Sequence, residues 1–301
     1  MEMKFRAHDT FFIRKGWISK GMRYVSKTNG EVFINKNENP MDVLGIGSNM
    51  VKALRYWLQA IGITEEPKSG KRVQTFTDFG RLVFEHDKYI DELGTLYLLH
   101  YKLATNKELA TSWYYFFNKF SLSDFTKVDF VLQIGNFIDI NDSDSNVATR
   151  SLEDDFSCII NTYMPRYKIT PNRVSPENNI DCPLGELGLL DILKKDRNST
   201  VYKKAVPASS TFNPWIILAI IHANANNRYE IGLNELLISE NNIGKIFNFD
   251  SITMLEVLHM VERTGELKII RTAGLDVITL THSFSFEECV KRYYEEIEKV
   301  E

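Results

Sequence analysis

Apolar and polar positions change period several times along this chain. Met50, Val51, Leu54, Trp57, Leu58 and Ile61 recur at helical spacing and predict an amphipathic helix from Ser48 to about Ala60. Its opposite face holds Asn49, Lys52, Arg55, Tyr56 and Gln59. Upstream, Asn39-Pro40 marks a helix start, because Asn accepts from free amides and Pro suits the first helical position. Gly45-Ile46-Gly47 ends that short helix after Leu44, and Ser48 is placed to cap the next one. Past Gly62, "ITEEPKSGKRVQTFT" reads as two short strands around a turn, with Lys68, Lys71 and Arg72 at its tip.

Helix, tight turn, helix and basic hairpin together follow the logic of a winged helix-turn-helix. The second helix would enter a DNA major groove and the hairpin would touch the backbone. Residues 77–121 read as helices rich in aromatics. The run Trp113 to Phe117 has no basic residues interleaved, so it suits a core better than a base-stacking platform. Two further helices flank the polar "NDSDSN" of residues 141–146, which lacks the central Gly and late Glu of a calcium loop.

Residues 165–190 hold four of the eight prolines and read as linker. The last third opens on another Asn-Pro helix start at Asn213 and closes with the strand pair "LKIIRTAGLDVITLT". This predicts a second winged-helix-like unit. Its exposed face would carry Thr253, Glu256, His259, Glu262 and Arg263, which suits a protein or dimer contact better than DNA. The acidic tail reads as a solvated terminal helix. The expected fold is therefore mainly α with small β-hairpins, multi-domain, with winged helix-turn-helix units at both ends. The division is 1–82 DNA-binding, 83–164 helical middle, 165–210 linker and 211–301 C-terminal winged-helix-like.

Charge sharpens this picture. Residues 1–81 hold 14 Lys+Arg against 8 Asp+Glu, a balance of +6, while the remainder holds 22 against 32, a balance of −10. A basic front on an acidic chain points to a polyanion partner for the front alone. Three widely spaced cysteines (Cys158, Cys182, Cys289) and no CxxC argue against zinc and for a reducing compartment. Little positive charge surrounds Cys182, so it reads as a packing residue and not a nucleophile. The N-terminus lacks a signal-peptide apolar core. The longest apolar run, Trp215 to Ile221, is far shorter than the roughly 20 residues of a membrane helix. The expectation is a cytoplasmic protein.

Three segments, "HDTFFIRKGWISKG" (8–21), "LGIGSNMVKALRYWLQAIG" (44–62) and "DCPLGELGLL" (181–190), together resemble the bacterial and archaeal domain of unknown function number four thousand and seven. That resemblance covers most of the chain. It implies a place in DNA phosphorothioation, the antiviral replacement of a non-bridging phosphate oxygen by sulfur. The implied partners are double-stranded DNA, a cysteine desulfurase and a sulfur-transfer ATPase or pyrophosphatase. A similar protein of such a system is described as a DNA nickase, which implies Mg²⁺ or Mn²⁺.

Nicking needs a nucleophile, leaving-group stabilisation and usually a divalent metal. His8 and Asp9 are the candidate base and ligand. As neighbours in a strand they would diverge, and only an irregular loop could bring them together. Asp154-Asp155 and Glu85-His86-Asp87 are alternative acid groups that helices more often solvate or use as caps. Arg14, Lys15, Lys20 and Arg23 would lie beside the DNA face, where phosphate contacts are natural. Two functions stay open: a metal-dependent nicking endonuclease, and a non-catalytic winged-helix adaptor or regulator, with room in either case for a homodimer.

Overall fold

The computed structural model describes residues 3–142, 146–164, 182–197, 199–272 and 275–299. The first helices are α1 (Trp17–Lys27), α2 (Pro40–Leu44) and α3 (Ser48–Ala60), followed by β1 (Thr64–Glu65) and β2 (Thr75–Phe76). Asn39 caps α2 as its sequence predicts, accepting from the Met41 amide at 3.1 Å. At α3 the prediction shifts by one residue: Gly47 is the cap and Ser48 the first helical residue, with no side-chain cap bond. β1 and β2 pair antiparallel, Thr64 opposite Phe76.

The middle of the chain holds α4 (Asp78–His86), α5 (Leu93–Thr105), α6 (Thr111–Asn118), β3 (Asp124–Phe125), α7 (Lys127–Asn141) and α8 (Thr149–Tyr163). Thr126 and Asp129 form a reciprocal capping box at the start of α7. All five residues of the Trp113–Phe117 run are buried, as expected of a core segment. Within the stretch read as linker, β4 (Leu190–Lys195) and β5 (Thr200–Lys204) are strands. They join β3 in a three-stranded antiparallel sheet of order β3-β5-β4. The linker reading of residues 165–181, and residues 143–145 of the polar stretch, lie outside the described residues.

The last third runs α9 (Pro214–Asn224), β6 (Glu230–Gly232), α10 (Leu233–Ile238), α11 (Ile243–Ile246), α12 (Ser251–Glu262), β7 (Leu267–Thr272), β8 (Leu275–Leu280) and α13 (Phe286–Ile297). Its sheet has order β6-β8-β7. The two three-stranded sheets thus share one topology. In each, a short strand follows a helix, further helices intervene, and the closing hairpin returns its last strand to the centre. The architecture is mainly α with small antiparallel sheets.

Buried apolar residues from Ile13 to Tyr294 form one connected cluster. The tail contributes to it, which corrects the solvated-helix expectation. Phe286, Cys289, Val290, Tyr293 and Tyr294 of α13 are all buried, and Glu296 accepts from the Trp215 indole at 2.9 Å. The acidic residues are the outer face of an amphipathic helix. No helix among the described residues is long and apolar enough to cross a membrane.

His100 sits at the centre of this core. Its Nε2 donates to the Ile246 carbonyl at 2.8 Å and its Nδ1 accepts from the Tyr163 hydroxyl at 2.8 Å. Burial pulls its pKa down to about 4 from 6.5, against the Ile246 carbonyl bond, which favours the charged ring. Between those two values the unfolded chain binds a proton that the folded one refuses. Stability is therefore full above pH 6.5 and falls as pH drops toward 4, by about 2–3 kcal/mol from this group. Urea titrations of wild type and His100→Gln across pH 7 to 4.5 should show this acid-side loss in wild type alone.

Candidate nucleic-acid interface

The N-terminal unit is assembled by close backbone approaches. Gly21 of α1 lies against Leu58 of α3, where an added Cβ would sit 2.7 Å from the Leu58 Cδ1. Gly30 has φ +83° and faces the Gln74 carbonyl, 1.9 Å from where a Cβ would be, so only glycine lets the chain pass. Gln74 also donates to the Arg55 carbonyl at 2.9 Å. The β1–β2 hairpin is thereby pinned to α3 and to the loop that follows α1.

The predicted DNA-facing residues fall into three groups. Lys15, Arg23, Asn49, Lys52, Lys68 and Arg72 are exposed. Among the described residues the five cations of this set make no ion pair, although Arg23 lies 5.1 Å over the Tyr24 ring. Several others hold the unit together. Arg55 donates to Glu66 at 2.6 Å and to the Arg72 carbonyl at 3.2 Å, tying the hairpin loop to α3. Gln59 reaches the same Glu66 at 3.2 Å. Lys20 donates to the Leu44 carbonyl at 3.0 Å, Lys71 pairs with Glu31 at 2.5 Å, and Arg14 lies over the Phe11 and Trp17 rings at 5.5 and 5.4 Å. Tyr56 is the correction. It is 8% exposed and donates to the Leu109 carbonyl at 3.0 Å, because α3 is covered on this flank as well as on its apolar stripe.

The opening segment is an irregular loop and not a strand. Arg6, Asp9 and Thr10 have φ of 53°, 48° and 68°, so the chain turns tightly and drives His8 inward. His8 and Asp9 do not converge. His8 is 1% exposed and its Nε2 pairs with Asp155 on α8 at 2.8 Å, while Asp9 is half-buried. The same Asp155 accepts from the Arg6 amide at 2.9 Å and from the Ser112 hydroxyl at 2.5 Å. Asp154 next to it pairs with Arg6 at 2.7 Å. His8 also stacks on Trp57 and meets Trp113 edge-on, at centroid distances of 5.9 and 5.6 Å.

Ser112, His8 and Asp155 are the residue types of a hydrolytic triad in the wrong order. Serine and histidine both donate to the carboxylate, whereas nucleophile activation places histidine between the two. Nδ1 of His8 has no hydrogen-bond partner among the described residues, so no relay continues from it. The cluster is an anchor for the first ten residues. The other acid group behaves likewise: Asp87 accepts from the Asp91 and Glu92 amides at 2.9 and 3.1 Å. Burial pushes the Cys158 thiol well above its ordinary range, which keeps it protonated. Cys182 is 6% exposed.

No three His, Cys, Asp or Glu side chains gather closely enough to hold a metal ion among the described residues. Asp155, the best-placed carboxylate, already spends both oxygens on protein donors. The described residues do not fit an all-protein metal site.

A family model for proteins of unknown function, DUF4007, matches residues 5–294. The chain belongs to the DUF4007 family. The structure is similar to a magnesium ion-bound crystal structure of SspB, with TM-score 0.78 and 25% identity over 99% of this chain and 96% of that one. It is also similar to a second SspB crystal structure, with TM-score 0.79 and 25% identity over 99% and 87% of the two chains. No curated protein matches the sequence significantly.

Sequence reasoning missed Ser112 and Asp155 as partners of His8, since nothing in their spacing links residues more than a hundred positions apart. If the cluster is an anchor, Asp155→Ala should cost about 3–5 kcal/mol, the usual penalty for orphaning one side of a buried polar pair. Chemical denaturation measures it. A loss below about 1 kcal/mol would mean the cluster is not what holds the segment.

Proposed function

We propose that this protein is a DNA-binding component of a DNA phosphorothioation system. It grips duplex DNA through an N-terminal winged helix-turn-helix, with α3 in the major groove and the β1–β2 loop on the backbone. The observation that carries this reading is the set of exposed cations without ion pairs on one unit: Lys15, Arg23, Lys52, Lys68 and Arg72. Lys52 is on the second helix of a helix–turn–helix and Lys68 and Arg72 are on the hairpin that follows, with Arg23 on α1 and Lys15 just before it; that arrangement places a helix against base edges and a wing against phosphates. Asn49 at the start of α3 can read a base edge. The phosphorothioation context is supported by family membership and by the likeness to SspB.

Strand nicking is a second reading, favoured by that same likeness to a protein crystallised with magnesium. Here Mg²⁺ would have to rest on one or two carboxylates together with water and DNA phosphate oxygens, as this ion commonly does. Asp9 is the half-exposed member of the His8-Asp9 pair and the one able to reach such an ion. Partner enzymes of the sulfur-transfer reaction would then act on the opened strand.

Fluorescence anisotropy on a 30-base-pair duplex tests the binding reading. Affinity should fall steeply with salt, and Lys52→Ala or Lys68→Ala should each weaken binding several-fold and flatten the salt slope by about one. Affinity indifferent to salt and to both substitutions would rule out this face. Supercoiled plasmid with Mg²⁺, Mn²⁺ or EDTA tests nicking, using wild type, His8→Ala and Asp9→Ala. Metal-dependent open circles lost in Asp9→Ala support it, and intact plasmid beside retained binding leaves a DNA-binding adaptor.

A further inference from the structure

The middle of the chain contains a unit that the sequence pattern concealed. Its order is α6, β3, α7, α8, β4, β5, and its sheet order β3-β5-β4 repeats the β6-β8-β7 order of the last third. In winged-helix terms β4 and β5 are its wing. Lys204 on β5 fastens that wing to the core, donating to the Phe116 and Phe120 carbonyls at 2.8 and 2.7 Å.

A groove of about 550 Å³ runs between the wing tip and helices α7 and α8, and Lys127, Lys195, Arg197, Ser157, Ser199 and Thr200 line it. The three cations are exposed and make no ion pair among the described residues. One carboxylate, Asp196, also lines the groove. Asp196 pairs with Lys194 at 3.0 Å, and Asp129 is held in the α7 cap by Thr126 at 2.7 and 2.8 Å. Three unpaired cations beside the Ser199 and Thr200 hydroxyls are a donor set that phosphodiester oxygens accept from, while the Ser157 hydroxyl donates to the Glu153 carbonyl at 2.8 Å.

The C-terminal unit provides a contrast within the same molecule. Its corresponding helix α12 exposes Ile252, Glu256 and His259. Glu256 accepts from Ser209 at 2.7 Å and His259 pairs with Glu262 at 3.2 Å. The shared topology therefore does not by itself produce a cationic groove; the middle unit has one because of its own residues.

We infer that the groove between the β4–β5 wing and helices α7 and α8 is a second contact surface for the backbone of duplex DNA, additional to the N-terminal unit. The inference rests on the DNA-binding reading above and extends it to a second face. The cations would hold successive phosphates, and the hydroxyls of Ser199 and Thr200 would donate to the remaining oxygens.

The test uses the full chain and a 40-base-pair duplex at several salt concentrations. One variant carries Lys127→Gln, Lys195→Gln and Arg197→Gln; the other carries Lys15→Gln, Lys52→Gln and Lys68→Gln. All positions are exposed, and thermal melts should match wild type. The groove variant should bind about tenfold or more weakly at moderate salt, with a salt slope flatter by about two to three. If it binds with wild-type affinity and slope while the N-terminal variant fails, the groove proposal falls and the N-terminal reading stands. If the groove variant fails and the N-terminal variant binds normally, the groove stands and the N-terminal reading falls. No binding by wild type overturns both.

Discussion

One buried carboxylate fixes how the chain begins. Asp155 on α8 is almost wholly withdrawn from water, and an ion in that position is tolerable only when donors surround it. Its donors come from three places: the Arg6 amide, the His8 ring and the Ser112 hydroxyl. Two of them lie in the first ten residues, so satisfying Asp155 pulls the opening segment onto α6 and α8. Trp57 of α3 stacks against the same His8 ring and donates to the Phe11 carbonyl at 2.8 Å. The N-terminal unit is thereby seated on the middle one through a polar cluster walled by aromatics.

That arrangement divides the basic residues by task. Arg55, Lys20 and Lys71 spend their charge on partners within the chain, Glu66, the Leu44 carbonyl and Glu31, the last pair at the surface. Each braces the hairpin or a helix end. The cations left exposed can then meet a polyanion without dismantling the fold, which is why substituting them should change binding and leave stability alone. A salt-bridged arginine at the same surface would couple the two properties.

Much of the local structure was legible because local chemistry determines it. Asn39-Pro40 and Asn213-Pro214 start helices where capping predicts, and the α3 stripe is buried as its spacing requires. What failed was non-local. The exposed-face reading of Tyr56 assumed one covered side, whereas α3 is covered on two. The β4–β5 hairpin was lost among prolines, although "ILKKDRNSTVYKK" flanks a polar turn with strand-like residues and its basic tip could have been noticed. Its pairing partner β3 lies nearly eighty residues earlier, Asp124 opposite Lys203, and only the fold reveals that register. The His8–Asp155 contact spans 147 positions, so the His8-Asp9 pairing that adjacency suggested gave way to a partner no spacing rule could name.

The middle and last units share one α–β–helix–helix–hairpin plan, and the N-terminal unit has a helix pair and a two-stranded hairpin. The first and middle units present cations without ion pairs among the described residues, and α12 of the last presents Ile252, Glu256 and His259. Hydrogen–deuterium exchange of the full chain, with and without a 40-base-pair duplex, tests this division most directly. The account predicts slowed exchange in residues 48–60 and 66–74, with α12 unchanged. Protection of α12, with residues 48–74 exchanging as in the free protein, would contradict it.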